Sequence, residues 1–173
     1  MNAPLPRHIT DTPATTYERV ATVSNEIAGK LAARLRAETQ GDVLFSGADR
    51  GRYATDASIY QVTPVGVFVP RHAHEVPIAL EMCRDLGVPI VPRGGGTSQC
   101  GQTTGAGLVI DHSKHIRHVL HLDMAARTVE VEPGMVLDHL NAQLKAHGVW
   151  FPVDVSTSAQ ATLGGMAGNN SCG

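Results

Sequence analysis

Apolar residues recur at steps of three and four through Val20, Val23, Ile27, Leu31 and Leu35, the spacing of one face of a helix. Thr15 and Glu18 stand at capping-box separation ahead of that run and Gly41 follows it, so the pattern predicts a long amphipathic helix between them. Residues up to about Pro13 are polar and contain prolines, which predicts a frayed arm. From Gly41 to Thr63 the periodicity is broken by Gly47, Gly51 and polar residues, and loops with room for one short element are expected. At Pro64 the pattern changes to short apolar runs. Residues 65–70 are β-rich, residues 75–86 have helical spacing and are closed by Gly87, and residues 88–91 are β-rich again, which makes a strand–helix–strand unit. Residues 108–110, 116–122 and 128–132 supply three more strands, the last alternating apolar and acidic side chains as a half-buried strand does. Leu137, Leu140 and Leu144 mark a helix over 135–147, ended by Gly148. Beyond Phe151 the chain reads as loop, including residues 164–173. No internal repeat is evident.

Composition narrows the class. The chain has 173 residues, 42% of them hydrophobic and 17% charged, against a typical charged share of about 25%, so a globular fold about one domain in size is expected. The net charge of -2 excludes a generally basic nucleic-acid binder, and any anion must be held locally. No apolar run approaches the roughly 20 residues of a membrane span and no secretory signal is present, so a cytoplasmic location is expected. Cys83, Cys100 and Cys172 form no Cys-x-x-Cys pair, so this segment encodes neither a zinc site nor an iron-sulfur cluster, and the sparse odd count suits reduced thiols. His112, His115, His118 and His121 recur every third residue, but in extended segments that step places successive side chains on opposite faces, which disfavours a shared metal.

Glycine supplies 18 residues, and their distribution matters more than their number. Pro92, Arg93, Gly94, Gly95, Gly96, Thr97 and Ser98 directly follow an apolar strand, where a connection rarely needs three consecutive glycines. Such a run allows positive φ and close backbone approach, so that N–H groups can converge on an anion with hydroxyls as further donors. A mononucleotide P-loop would need Lys and Ser or Thr after the last glycine, and a Gly-x-Gly-x-x-Gly fingerprint would need glycine at Gln99; neither is met. A second cluster carries the hydroxyls of Ser156, Thr157, Ser158 and Thr162, the Gly164 and Gly165 pair, and the amides of Asn169 and Asn170. Two such loops suggest one extended polar ligand gripped from two sides, such as a dinucleotide; flexible turns without a ligand remain the alternative.

At these residues the chain resembles the FAD-binding domain of the vanillyl-alcohol oxidase and p-cresol methylhydroxylase (PCMH) superfamily. It is most similar to FAD-linked D-2-hydroxy-acid dehydrogenases of the D-lactate, glycolate and D-2-hydroxyglutarate type. The resemblance rests on Val67-Phe68-Val69-Pro70, the glycine loop with Gly101 and Gln102, Gly107-Leu108-Val109-Ile110-Asp111, Glu132-Pro133-Gly134, and the run from Ser156 to Met166. Residues 53–60 and the preceding helix resemble the lead-in of large members that also carry a C-terminal iron-sulfur region. The resemblance implies an α+β fold, the first α/β lobe of a PCMH-type FAD-binding domain, with a mixed sheet, flanking helices and a long N-terminal helix. It divides the chain into a lead-in, 1–63, and the N-terminal part of the FAD-binding domain, 64–173, within the opening segment of a longer protein.

The resemblance also implies a site. Backbone and hydroxyl groups of Pro92, Arg93, Gly94, Gly95, Gly96, Thr97 and Ser98 would hold the FAD diphosphate, with Gly101 and Gln102 nearby. Pro152, Thr157, Ser158, Ala161, Thr162, Gly164 and Gly165 would line the flavin side, continued by Asn169 and Gly173. Branches with covalent flavin commonly carry His just after the glycines; Thr97 and Ser98 stand there instead, so non-covalent FAD is expected, with Cys100 a departure from the usual apolar or small residue. The implied reaction oxidises a 2-hydroxy acid, passing a hydride equivalent to the flavin and on to an electron acceptor. An iron-sulfur cluster could belong only to a C-terminal region beyond this segment, and peripheral membrane association of the full-length protein is compatible with the reading. No catalytic residue is assigned, because the family's substrate-side residues come from regions after residue 173. Other chemistry of the superfamily, an alcohol oxidase or enolpyruvyl reductase, and a non-redox nucleotide-binding module stand as alternatives. Alone, the 173 residues are expected to expose apolar surface and bind FAD poorly, and valine at Gly95 is expected to end FAD binding.

Overall fold

The computed structural model describes residues 23–171. The expected arm, the Thr15 and Glu18 pair, Val20, Cys172 and Gly173 lie outside the described residues. Helix α1, Asn25–Glu38, starts later than the periodicity predicts, because the Ser24 side chain accepts the N–H of Ile27 at 3.2 Å and caps it there; Val23 precedes the helix. Its buried stripe is Leu31, Ala32 and Leu35. Between Gly41 and Thr63 the chain forms two elements rather than one, strand β1, Asp42–Leu44, and helix α2, Gly47–Arg52. A three-residue strand is too short to show alternation, and α2 is set by Ser46, whose hydroxyl accepts the N–H of Asp49 at 3.1 Å.

Strand β2 is Gly66–Val69, helix α3 Glu75–Leu86, strand β3 Ile90–Arg93 and strand β4 Leu108–Asp111. The sheet order is β1-β2-β4-β3, with β1 antiparallel to β2 and both β2 and β3 parallel to β4. It is the expected mixed sheet with flanking helices. Burial follows the two-residue period: Phe68, Leu108 and Ile110 face α1 and α3 through Leu31, Leu35, Ala79 and Met82, while Val67, Val69, Val91 and Val109 share the other face and pack with Tyr53. Both faces are covered, so β2 and β4 are buried at every position. The lead-in shares this core, since α1 supplies Leu31 and Leu35 to it.

Glu75 fastens the lead-in to α3. It is 1% exposed, and its carboxylate accepts the backbone N–H groups of Gln40, of Arg71 at 2.6 Å and of His72 at 3.2 Å. At the other end of α3, Gly87 has φ 64° with open space where a Cβ would stand. Gly87→Ala should therefore lower stability by about 1 kcal/mol through left-handed strain alone, a shift readable as an earlier urea midpoint with an unchanged slope.

A second layer follows. Strands β5, Val119–Asp123, and β6, Thr128–Val131, form an antiparallel hairpin. Val119, Leu122, Val129 and Val131 pack on Met135, Leu140 and Leu144, the last two from helix α4, Leu137–Leu144. A single 3-10 turn, Lys145–His147, extends α4 to Gly148 at φ 71°. The last stretch corrects the loop expectation, because Leu163–Gly168 forms helix α5. Its two early glycines hide it from any periodicity argument; it is held by Thr162, whose hydroxyl accepts the N–H of Gly165 at 3.3 Å, and by Leu163 and Gly164 donating to the carbonyls of Met135 and Pro133. Among the described residues no helix is long and apolar enough to cross a membrane. Nor are three His, Cys, Asp or Glu side chains gathered there as a metal site. His118 instead sits 2.6 Å from Glu132, and His115 lies 3.8 Å from Asp42.

Candidate cofactor site

The glycine loop leaves β3 and runs directly against the second glycine cluster. A Cβ added at Gly94 would overlap the Thr162 hydroxyl, and one at Gly95 would overlap the carbonyl of Gln160. These two glycines are therefore needed where the loops touch each other. Gly96, at φ 66°, turns the loop, and a Cβ there would come within 2.5 Å of the Arg93 guanidinium.

Where the loops part they form the walls of a cleft of about 990 Å³. Of the residues expected at the site, Pro92, Arg93, Gly94, Gly95, Gly96, Thr97, Ser98 and Gln102 line one wall, and Thr157, Ala161, Thr162, Gly164, Gly165 and Asn169 line the other. Pro152, Ser158 and Gly101 are not among the lining residues, and Gly173 lies outside the described residues. Ser158 turns its carbonyl to the N–H of Asp138 at 3.2 Å, while Gly101, at φ 79°, packs on the Tyr60 ring. Gln102 spans the walls: its Oε1 accepts from the Ser98 hydroxyl and its Nε2 donates to Asn169 Oδ1 at 3.1 Å. The cleft also takes in residues sequence reasoning did not name for it, including Thr103, His112, Pro133, Asp154 and Met166. Pro133 and Met166 lay inside quoted family motifs, which was a usable signal; Thr103 and His112 had none.

The Arg93 side chain points beneath the loop. Its Nη1 donates to the carbonyls of Thr55 at 2.9 Å and Thr103 at 3.4 Å, and its guanidinium stands 5.4 Å from the centre of the Tyr53 ring. Tyr53 in turn donates at 2.7 Å to Asp111, which is buried and accepts Ser113 N–H and hydroxyl bonds on its other oxygen. Burial, reinforced by the bond to Asp111, raises the Tyr53 hydroxyl pKa well above its ordinary value and keeps it a neutral donor. Cys83 is buried and its thiol is pushed up to about 11, unsuited to nucleophilic work, whereas Cys100 is exposed on the cleft wall. A hollow of about 310 Å³ that shares Arg93, Gly94 and Gly95 with the cleft is lined by three cations, Arg52, Arg93 and Lys114, against one carboxylate, Asp111, a net balance that favours negative charge near the loop. Backbone, hydroxyls and flanking cations together suit an elongated anion in an open cleft.

The architecture is that of a PCMH-type flavin domain. The structure superposes on p-cresol methylhydroxylase with a TM-score of 0.64 at 18% identity, over 86% of this chain and 30% of that one. Residues 64–173 match the FAD binding domain family, and the chain belongs to it. It is 40% identical over 136 residues to the D-2-hydroxyglutarate dehydrogenase of Pantoea ananatis, covering 77% of this chain and 13% of that protein. It is 36% identical over 141 residues to the glycolate oxidase subunit GlcD of Bacillus subtilis, covering 79% of this chain and 30% of that protein. The chain thus spans 13% and 30% of the length of these two relatives.

Proposed function

We propose that this chain forms the FAD-binding portion of a flavin-dependent oxidoreductase acting on a D-2-hydroxy acid of the lactate, glycolate or 2-hydroxyglutarate class. The observation that carries the reading is the meeting of two glycine loops, distant in sequence, on one cleft of about 990 Å³ with hydroxyl, amide and bare backbone groups on both walls. The relatives named for hydroxy acids support the substrate class. In this reading the backbone and hydroxyls from Arg93 to Ser98 hold the diphosphate, and Thr157, Ala161, Thr162, Gly164, Gly165 and Asn169 form the facing wall. Bound FAD supplies the acceptor for a hydride equivalent. Thr97 and Ser98 after the glycines support non-covalent attachment. No iron-sulfur cluster, electron acceptor or proton-accepting base is assigned to the described residues. A cytoplasmic setting is part of the proposal and draws support from the free thiols of Cys83 and Cys100.

The full-length protein should purify yellow or take up FAD, and anaerobic D-lactate, glycolate or D-2-hydroxyglutarate should bleach the flavin band. A colourless protein unable to take up FAD would sink the cofactor assignment. A yellow protein that none of these acids bleaches would sink the substrate class.

A further inference from the structure

The glycine loop is tied at its start, crest and return to one short segment, residues 53–58. At the start, Arg93 Nη1 reaches the Thr55 carbonyl at 2.9 Å. At the crest, the Gly96 carbonyl accepts the N–H of Ala57 at 3.1 Å. On the return, Asp56 Oδ2 accepts the Thr103 hydroxyl at 3.0 Å and its N–H at 3.4 Å, while Asp56 Oδ1 accepts the N–H of Ser58 at 2.9 Å. Asp56 is partly buried and does not line the cleft. Burial opposes its charge, but the bonds from Ser58 and Thr103 together hold its carboxyl below the ordinary range, so it acts as an ionised acceptor.

Three successive glycines have the greatest backbone freedom a chain can have. A loop left free would lose that freedom on meeting an anion, and the loss would count against binding; a loop fixed beforehand avoids it. We infer that Asp56 is a positioning residue for the cofactor diphosphate, locking Thr103 and, through the adjoining Ala57, the Gly96 carbonyl, so that the glycine loop is set before phosphate arrives. This rests on the FAD reading above. The carboxylate itself is turned from the cleft with both oxygens bonded, which spares the diphosphate a direct repulsion.

The test uses the full-length protein and three ligands, FAD, ADP and riboflavin, titrated against wild type, Asp56→Ala, Asp56→Asn and Thr103→Val. Asp56→Ala should weaken FAD and ADP about tenfold or more while riboflavin changes by less than about twofold, the split expected if only the diphosphate contact is disturbed. Asp56→Asn, which keeps an acceptor for Ser58, should recover part of the loss, and Thr103→Val should show the same split at smaller size. Unchanged ADP affinity in Asp56→Ala overturns the inference, and so do equal losses of ADP and riboflavin, which mark general damage. Should Asp56→Ala fail to fold, Thr103→Val decides on the same criterion. A wild-type protein that takes up no FAD removes the underlying reading instead, a result distinct from the others.

Discussion

Valine at position 95 is expected to abolish FAD binding by the full-length protein while the sheet core stays folded. The obstacle lies between the loops: a Cβ at Gly95 points into the carbonyl of Gln160, backbone that cannot swing aside as a side-chain tip would. The loops must separate, and the walls that carry Thr97 and Thr162 lose their relative placement. The sequence alone leads to the same expectation for this variant; the geometry puts the collision against Gln160, behind the loop. We expect the FAD dissociation constant to rise at least about 100-fold, near 2.7 kcal/mol, with far-ultraviolet circular dichroism unchanged. Wild-type affinity in Gly95→Val would mean that the loop contact is not needed to hold the cofactor.

Truncating Glu75 should have the largest effect on stability. Its buried carboxylate serves three backbone N–H groups from two segments, and Glu75→Ala removes the acceptor that ties those segments to α3. Gln40, Arg71 and His72 are exposed enough for water to reach their N–H groups once the carboxylate is gone, so the loss is set mainly by the charge-assisted bonds themselves, and about 2–3 kcal/mol in total is expected in urea denaturation. The pH dependence has a definite sign. Burial opposes the charge on Glu75, but the N–H groups of Gln40, His72 and Arg71 outweigh it and hold the folded carboxyl below its ordinary value. The contribution is therefore complete above the unfolded carboxyl range and is lost as pH falls through the folded value. Stability of the wild type should fall more steeply with acid than that of Glu75→Gln, whose amide cannot gain a proton there. Parallel pH profiles would show that Glu75 is not the group responsible.

How much of this was legible in the sequence depended on which forces set each element. Helix α3 and its Gly87 stop were readable to the residue, because a buried stripe and a left-handed terminus are both local signals. Strand β1 and helix α5 were not. The first exists through pairing with β2, and the second through a threonine cap and contacts to Pro133 and Met135, none of which leaves a periodic mark. The same distinction runs through the site. The glycines and hydroxyls announced an anion loop, and the family motifs named most of the residues that line the cleft. Gln160, whose carbonyl meets Gly95, and the Asp56 to Thr103 tie could not be foreseen, since they depend on how segments far apart in sequence come together. Asp56 and Ser58 did stand at the spacing of a side-chain-to-backbone turn, which indicated a bend but not the loop it braces.

Among the described residues strand β3 forms one border of the sheet, with Ile90 exposed on it. The Arg93 carbonyl accepts the N–H of His112 and the Pro89 carbonyl that of Leu108, so the alternate residues between them turn their own polar groups away from β4. Pro92 occupies such an outward position and has no N–H to offer. An incoming extended chain would find the row of donors interrupted at its middle, and the border resists being lengthened by a stray strand from another molecule. The proline that leads into the glycine loop thereby also interrupts the hydrogen-bonding edge of the sheet.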